Sequence, residues 1–235
     1  MSKYNYPKIV VTGLGTVNPI GNNVEETWQS LITGKSGAGP ITHFDTTNFE
    51  TKFACEVKGF DPLAYINRKD VQKMDLFTQY AFAASAMAIE DSGLNFDAEN
   101  KERIGVIIGS GIGGMFVYEQ QQISLFERGK PDRISPFFIP MMISNIAAGY
   151  VAIRWGLEGP NYATTSACAT SGHSLIDALM VLQRGDADVM LAGGGEAPIC
   201  KMGVGGFNAM KAISTLNEAP EKASRPFDKE RSGFV

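Results

Sequence analysis

Thr164-Thr165-Ser166-Ala167-Cys168-Ala169-Thr170-Ser171-Gly172 joins two segments of different character. Before it, Asn161-Tyr162-Ala163-Thr164-Thr165 is β-branched and aromatic enough to read as a strand. After it, Leu175, Leu179 and Leu182 fall on one apolar line, with Ile176 and Met180 beside it. That spacing predicts a helix, and Gly185 supplies its stop signal. Cys168 is thereby placed where a buried strand gives way to the first turn of a helix. The small residues Ala167, Ala169, Ser171 and Gly172 leave room for a ligand to approach it.

A helix N-terminus offers free N–H groups and a partial positive charge, and both favour a thiolate, the nucleophilic form of cysteine. The same N–H groups can stabilise an oxyanion on an attacked carbonyl. The competing reading is a structural cysteine buried as a small hydrophobe, the commoner fate of a free Cys. Position alone leaves both open. His173 is close in sequence, but five residues along a helix turn it about 140° away from Cys168, a poor geometry for a partner. His43 has no acidic or cysteine partner at a local motif spacing and reads as a turn or core histidine.

The alternation recurs on both sides of this junction. Lys8-Ile9-Val10-Val11-Thr12-Gly13 reads as a strand and turn, and Asn23 caps a helix through Leu31 with Glu25 and Glu26 in its first turn. Short strands are expected around Lys52 to Val57, and one long helix from Asp70 to Ser92. Ile104 to Ile108 and Asp188 to Ala192 read as buried strands, 202 to 212 as a short glycine-rich helix, and Ser232 to Val235 as the start of another strand. The result is an α/β fold with a mainly parallel sheet. Gly109-Ser110-Gly111-Ile112-Gly113-Gly114 matches the dinucleotide pattern between a strand and a helix. No second strand ending in Asp or Glu follows at the required distance, so a nucleotide-binding oxidoreductase is the weaker reading.

The 235 residues are 44% hydrophobic and 20% charged, ordinary for a soluble globular chain. A net charge of −4 without any basic run argues against nucleic acid as a main partner. Cys55, Cys168 and Cys200 form no C-x-x-C and no pairable set. Neither a disulfide framework nor a metal site is expected, no cofactor is called for, and a reducing, cytoplasmic setting fits. Met1 to Pro7 lacks the apolar core of a signal peptide. Ile134 to Ile153 is 20 residues without a charge, but Pro136, Pro140, Ser144, Asn145 and Gly149 make it an interior helix, not a membrane span.

Taken together, these stretches resemble the β-ketoacyl-acyl carrier protein synthases of the thiolase superfamily, and within them the elongating bacterial type II enzymes. The resemblance rests on Val10 to Gly15, His43-Phe44-Asp45-Thr46, Gly109 to Gly114, Ile134 to Phe138, Ala167 to Gly172, Gly185 to Met190, Gly203 to Phe207 and Ser224 to Arg231, in that order. It implies a thiolase-like layered α/β/α/β/α fold. Residues 1–235 would supply its first half, with the second beginning at about 232–235. It makes Cys168 the acyl-accepting nucleophile, and malonyl-carrier protein the donor of two carbons in a decarboxylative condensation. Ile112, Phe138 and Phe207 match positions that line or gate the acyl pocket, with Phe138 reaching across a homodimer. Lys69, Lys73, Arg133 and Lys211 match or adjoin positions that meet the acidic acyl carrier protein. Gln72 and Asp132 stand where relatives often carry a positive charge, so weaker or shifted docking is expected. The catalytic histidines, a supporting lysine and the loop giving a second oxyanion-hole N–H match nothing in this chain. The alternatives are a non-catalytic acyl- or carrier-binding module, or one half of a split polyketide-type ketosynthase.

Overall fold

The computed structural model describes residues 6–235. In chain order it contains α1 (Val24–Ile32), β1 (Gly39–Pro40), β2 (Phe53–Ala54), α2 (Arg68–Val71), α3 (Leu76–Ser92) and β3 (Ile104–Gly109). There follow α4 (Met115–Arg128), α5 (Phe138–Met142), α6 (Ile146–Trp155), β4 (Asn161–Tyr162), α7 (Thr170–Arg184), β5 (Val189–Gly194) and α8 (Lys201–Ala209). The described residues divide into two compact units, one of 6–16, 62–114 and 136–196, the other of 17–61, 115–135 and 197–235.

The first unit is built on a parallel three-stranded sheet in the order β4-β3-β5. Ile104 pairs with Val189 and Gly109 with Gly194, so β3 and β5 run in register over their whole length. Every residue of β3 is buried, as its unbroken apolar run predicts for a central parallel strand. Ile107 packs with Ala178, Val181 and Ala187 against α7. α6 packs on β3, and α3 packs on α6, with the Phe82 and Trp155 rings 5.3 Å apart.

Several expectations change here. Lys8 to Thr12 joins no strand; it runs beside α3, where a Cβ at Gly13 would sit 2.1 Å from the Ala88 carbonyl oxygen and one at Gly15 1.9 Å from that of Ala84. Val11, 79% exposed, points away. The helix expected from Asp70 is two helices, because Asn67 caps α2 and the buried Asp75 caps α3 by accepting from the Phe77 N–H. Ile134 to Ile153 likewise holds two short helices, separated where Ile143 is extended. The apolar line of α7 is turned outward: Thr170, Ser174, Ala178 and Val181 are buried, whereas Leu175 is 56% exposed and Ile176, Leu179 and Met180 are exposed beside it. Small side chains let α7 lie close to the sheet, and of the predicted line only Leu182 packs against the core. β4 is shorter than predicted and exposed, and β5, at a sheet edge, is half-buried.

In the second unit, Asn23 caps α1 by accepting from the Glu26 N–H, as predicted. β1 and β2 pair antiparallel, and α4 packs on α8. The buried Glu56 carboxylate accepts from the Thr42 N–H and hydroxyl, both at 2.8 Å. The strand expected at Ser232 to Val235 is a single parallel bridge between Ile213 and Phe234. No helix among the described residues is long and apolar enough to cross a membrane.

Candidate active site at Cys168

Three parallel strands deliver the site from their carboxyl ends, the edge where α/β sheets bind ligands. β3 opens into Ser110-Gly111-Ile112-Gly113-Gly114, β4 leads on to Cys168, and β5 runs out through Gly195 to Glu196. Cys168 is the middle residue of a single 3-10 turn, Ala167–Ala169, directly before α7. Ala167 has φ 50°, the left-handed region, which costs a residue with a Cβ on the order of 1–2 kcal/mol. That sharp turn leaves the Cys168 side chain exposed at the start of α7. Its N–H lies among the first N–H groups of a helix, which have no intrahelical acceptor.

Hydroxyls lock the turn from behind. The Ser166 N–H donates to Thr170 Oγ1 at 2.8 Å, and the Thr164 hydroxyl donates to the Thr170 carbonyl at 3.0 Å. A Cβ at Gly172 would meet nothing within 4 Å, so the approach beside Cys168 is open. His173 Nδ1 lies 2.6 Å from Ser166 Oγ, which engages it away from the thiol. The other two cysteines differ in kind. Burial pushes the Cys200 thiol up to about 11 and raises that of the half-buried Cys55. Neither is suited to be a thiolate near neutral pH.

Glu196, two residues past β5 and marked by no local motif, organises the facing turn. Its Oε1 accepts from the Ser110 hydroxyl at 2.9 Å, and its Oε2 from the N–H groups of Gly111 and Ile112 at 2.8 and 3.2 Å. Ser110 Oγ in turn accepts from the Gly113 N–H at 2.9 Å. Burial raises the Glu196 carboxyl above the usual carboxylate range, and these three donors oppose the rise. A Cβ at Gly111 would lie 3.2 Å from Ala167 Cα, so the turn abuts the residue before Cys168. On its other side the Gly114 N–H donates to the Met142 carbonyl at the end of α5, the helix that Phe138 begins. The glycine turn thus connects Ile112, Phe138 and Cys168 within one unit.

Residues 7–235 match the profile of the beta-ketoacyl synthase, N-terminal domain. The chain belongs to that family. It is 52% identical over 228 residues to the 3-oxoacyl-[acyl-carrier-protein] synthase 2 of Vibrio cholerae serotype O1, covering 97% of this chain and 55% of that protein. Among solved structures, it superposes on the ishigamide ketosynthase/chain length factor with a TM-score of 0.85 at 31% identity, covering 95% of this chain and 54% of that one. It superposes on AntDE:AntF, a type II PKS acyl-carrier protein in complex with its ketosynthase bound to the hexaketide, with a TM-score of 0.84 at 29% identity. That match covers 98% of this chain and 56% of the other. The chain spans about half the length of the relatives it matches, and its fold is the thiolase-like fold of these ketosynthases.

The remaining residues named from sequence divide between the two units of this synthase domain. Phe207 lies in the second unit, edge-on to Phe234 with ring centroids 5.2 Å apart. Both line an apolar cavity of about 230 Å³ with Phe53, Ile199, Val204 and Ile213. Lys69 and Lys73 are in the first unit; Lys69 is exposed, while Lys73 pairs with Asp70 at 2.9 Å and sits 5.7 Å from the Phe137 ring. Arg133 and Lys211 are exposed in the second. His43 Nδ1 bonds the Ile199 carbonyl at 3.1 Å and has Glu56 at 3.8 Å, an acidic neighbour that local spacing did not reveal. No cluster of three His, Cys, Asp or Glu able to hold a metal occurs among the described residues.

Proposed function

We propose that this chain is the first half of a β-ketoacyl-acyl carrier protein synthase, with Cys168 as the acyl acceptor. The Cys168 thiolate attacks the carbonyl of an acyl-carrier protein thioester, the carrier's thiol leaves, and an acyl-enzyme forms. Malonyl-carrier protein then loses carbon dioxide, and the resulting carbanion attacks the acyl-enzyme carbonyl and expels the Cys168 thiolate, leaving on the carrier protein a β-ketoacyl chain two carbons longer. The condensation step uses groups from the further length that the relatives possess. The reading is carried by one observation: Cys168 stands exposed on a strained turn at a helix start, while Cys55 and Cys200 are held as thiols.

Ile112, Phe138 and Phe207 shape the acyl pocket, Phe138 from the partner of a homodimer. Lys69, Lys73, Arg133 and Lys211 receive the acidic carrier protein, whose approach opposite charge would steer. No cofactor is needed, and the setting is the cytoplasm. The polyketide ketosynthase reading has support in the names of two structural neighbours, but 29–31% identity to them against 52% to a synthase 2 favours fatty acyl elongation.

Intact mass after incubation with acyl-carrier protein tests the nucleophile. The expected result is one acyl adduct on the parent protein and none on Cys168→Ala. An adduct that survives the substitution would place the acyl group elsewhere and end the proposal.

A further inference from the structure

We propose that Glu196 is a positioning residue for acyl transfer: its carboxylate holds the Ser110–Gly113 turn against Ala167, and so sets where an acyl thioester rests beside Cys168. The inference rests on the reading of Cys168 as acyl acceptor. Glu196 itself touches neither the thiol nor a reacting atom; it acts through the backbone.

The geometry is specific. One carboxylate oxygen accepts both the Gly111 and the Ile112 N–H, and the other accepts the Ser110 hydroxyl, whose oxygen accepts the Gly113 N–H. Three successive N–H groups of a tight turn therefore depend on one side chain, directly or through Ser110. A Cβ at Gly111 would fall 2.8 Å from Glu196 Oε2 and 3.2 Å from Ala167 Cα, so the turn is pressed between the carboxylate and the residue preceding the nucleophile. Ile112, 40% exposed, is carried on that same backbone. Displacement of the turn by a fraction of an ångström moves the surface an acyl chain rests on, and near-attack geometry is sensitive on that scale.

Conservative substitution separates acceptor geometry from charge. Glu196→Gln keeps one oxygen in reach of both backbone N–H groups and can donate to Ser110 Oγ. Glu196→Leu fills the volume and accepts nothing, leaving the Ser110 hydroxyl and the Gly111 and Ile112 N–H groups without their acceptor. In the full-length protein, acyl transfer from dodecanoyl-carrier protein to Cys168 is followed by rapid-quench mass spectrometry, beside alkylation of Cys168 by iodoacetamide. Iodoacetamide is too small to need the turn. For Glu196→Leu, the maximal acylation rate is expected to fall about tenfold or more, with the carrier-protein KM and the alkylation rate each within about twofold of the parent. Glu196→Gln should recover the rate to within about threefold.

An unchanged acylation rate in Glu196→Leu, a loss carried by KM alone, or acylation and alkylation falling together would each overturn the proposal and leave Glu196 a structural residue. Near-UV circular dichroism reports whether Glu196→Leu folds. If it does not, Ser110→Ala decides: a selective loss in acylation supports the proposal, and parental acylation overturns it. A parent protein that iodoacetamide alkylates at Cys168 but acyl-carrier protein does not acylate overturns the proposed function first, and this inference with it. A failure confined to the Glu196 variants leaves that function standing.

Discussion

Ala167 holds its φ at 50° with a methyl group in place, and that one angle aims the next side chain outward. Ala167→Gly removes the strain but frees the unfolded chain, so the two effects oppose and the net change in unfolding free energy is expected within about 1 kcal/mol. Ala167→Val puts a branched side chain into the same angle and against the Gly111 turn. A loss of about 2 kcal/mol or more is expected by urea unfolding, with slower alkylation of Cys168. Parental stability in the valine variant would mean that the turn relaxes freely. The sequence marked Cys168 clearly, through the strand-to-helix change and the small residues around it. The left-handed turn was hidden, because Ser166-Ala167-Cys168-Ala169 contains no glycine to announce it. Glu196 was hidden for another reason: its partners lie 84 to 86 residues earlier, and no local pattern connects them.

At the scale of elements, α3 shows both what patterning reveals and where it fails. Its apolar spacing was legible, but its start was displaced to Leu76 because Asp75 outcompetes the preceding residues as a cap. The helix is then flanked closely by the N-terminal segment at Gly13 and Gly15. Gly15→Ala would force a methyl group to 1.9 Å from the Ala84 carbonyl, and a loss of about 2–3 kcal/mol is expected in thermal or urea unfolding. Gly172→Ala, in the first turn of α7 with nothing within 4 Å, is the contrasting case. There alanine should add up to about 1 kcal/mol through helix propensity and a less flexible unfolded chain. A similar response at both positions would refute the close packing of the N-terminal segment on α3. Segment 8–12 was misread for a general reason: an apolar run shows that residues can pair in a sheet, not that a neighbour is present to pair with.

At the scale of the whole molecule, the outward face of α7 is the largest departure from the sequence reading. Leu175, Ile176, Leu179 and Met180 form an exposed apolar stripe, and an exposed patch of this kind marks a contact site. Leu175→Glu with Leu179→Glu should cost this chain under about 0.5 kcal/mol, since neither side chain packs in its core. The same pair should sharply reduce binding of a hydrophobic dye. In the longer protein of the proposed function, the double substitution should instead destabilise by several kcal/mol, because the stripe would be covered. Equal tolerance in both settings would show that the further segment packs elsewhere. The hydrogen bond from Gly111 to Glu196 spans 85 residues and has a consequence for synthesis at the ribosome. Closing a loop of that length costs about 4 kcal/mol in chain entropy, so it forms late, after nearer contacts are in place. A chain emerging residue by residue exposes Cys168 well before Glu196 leaves the exit tunnel. If Cys168 is the acyl acceptor proposed above, it is made first and given its shaped surroundings afterward, and efficient acyl loading is expected only once the Glu196 turn has closed.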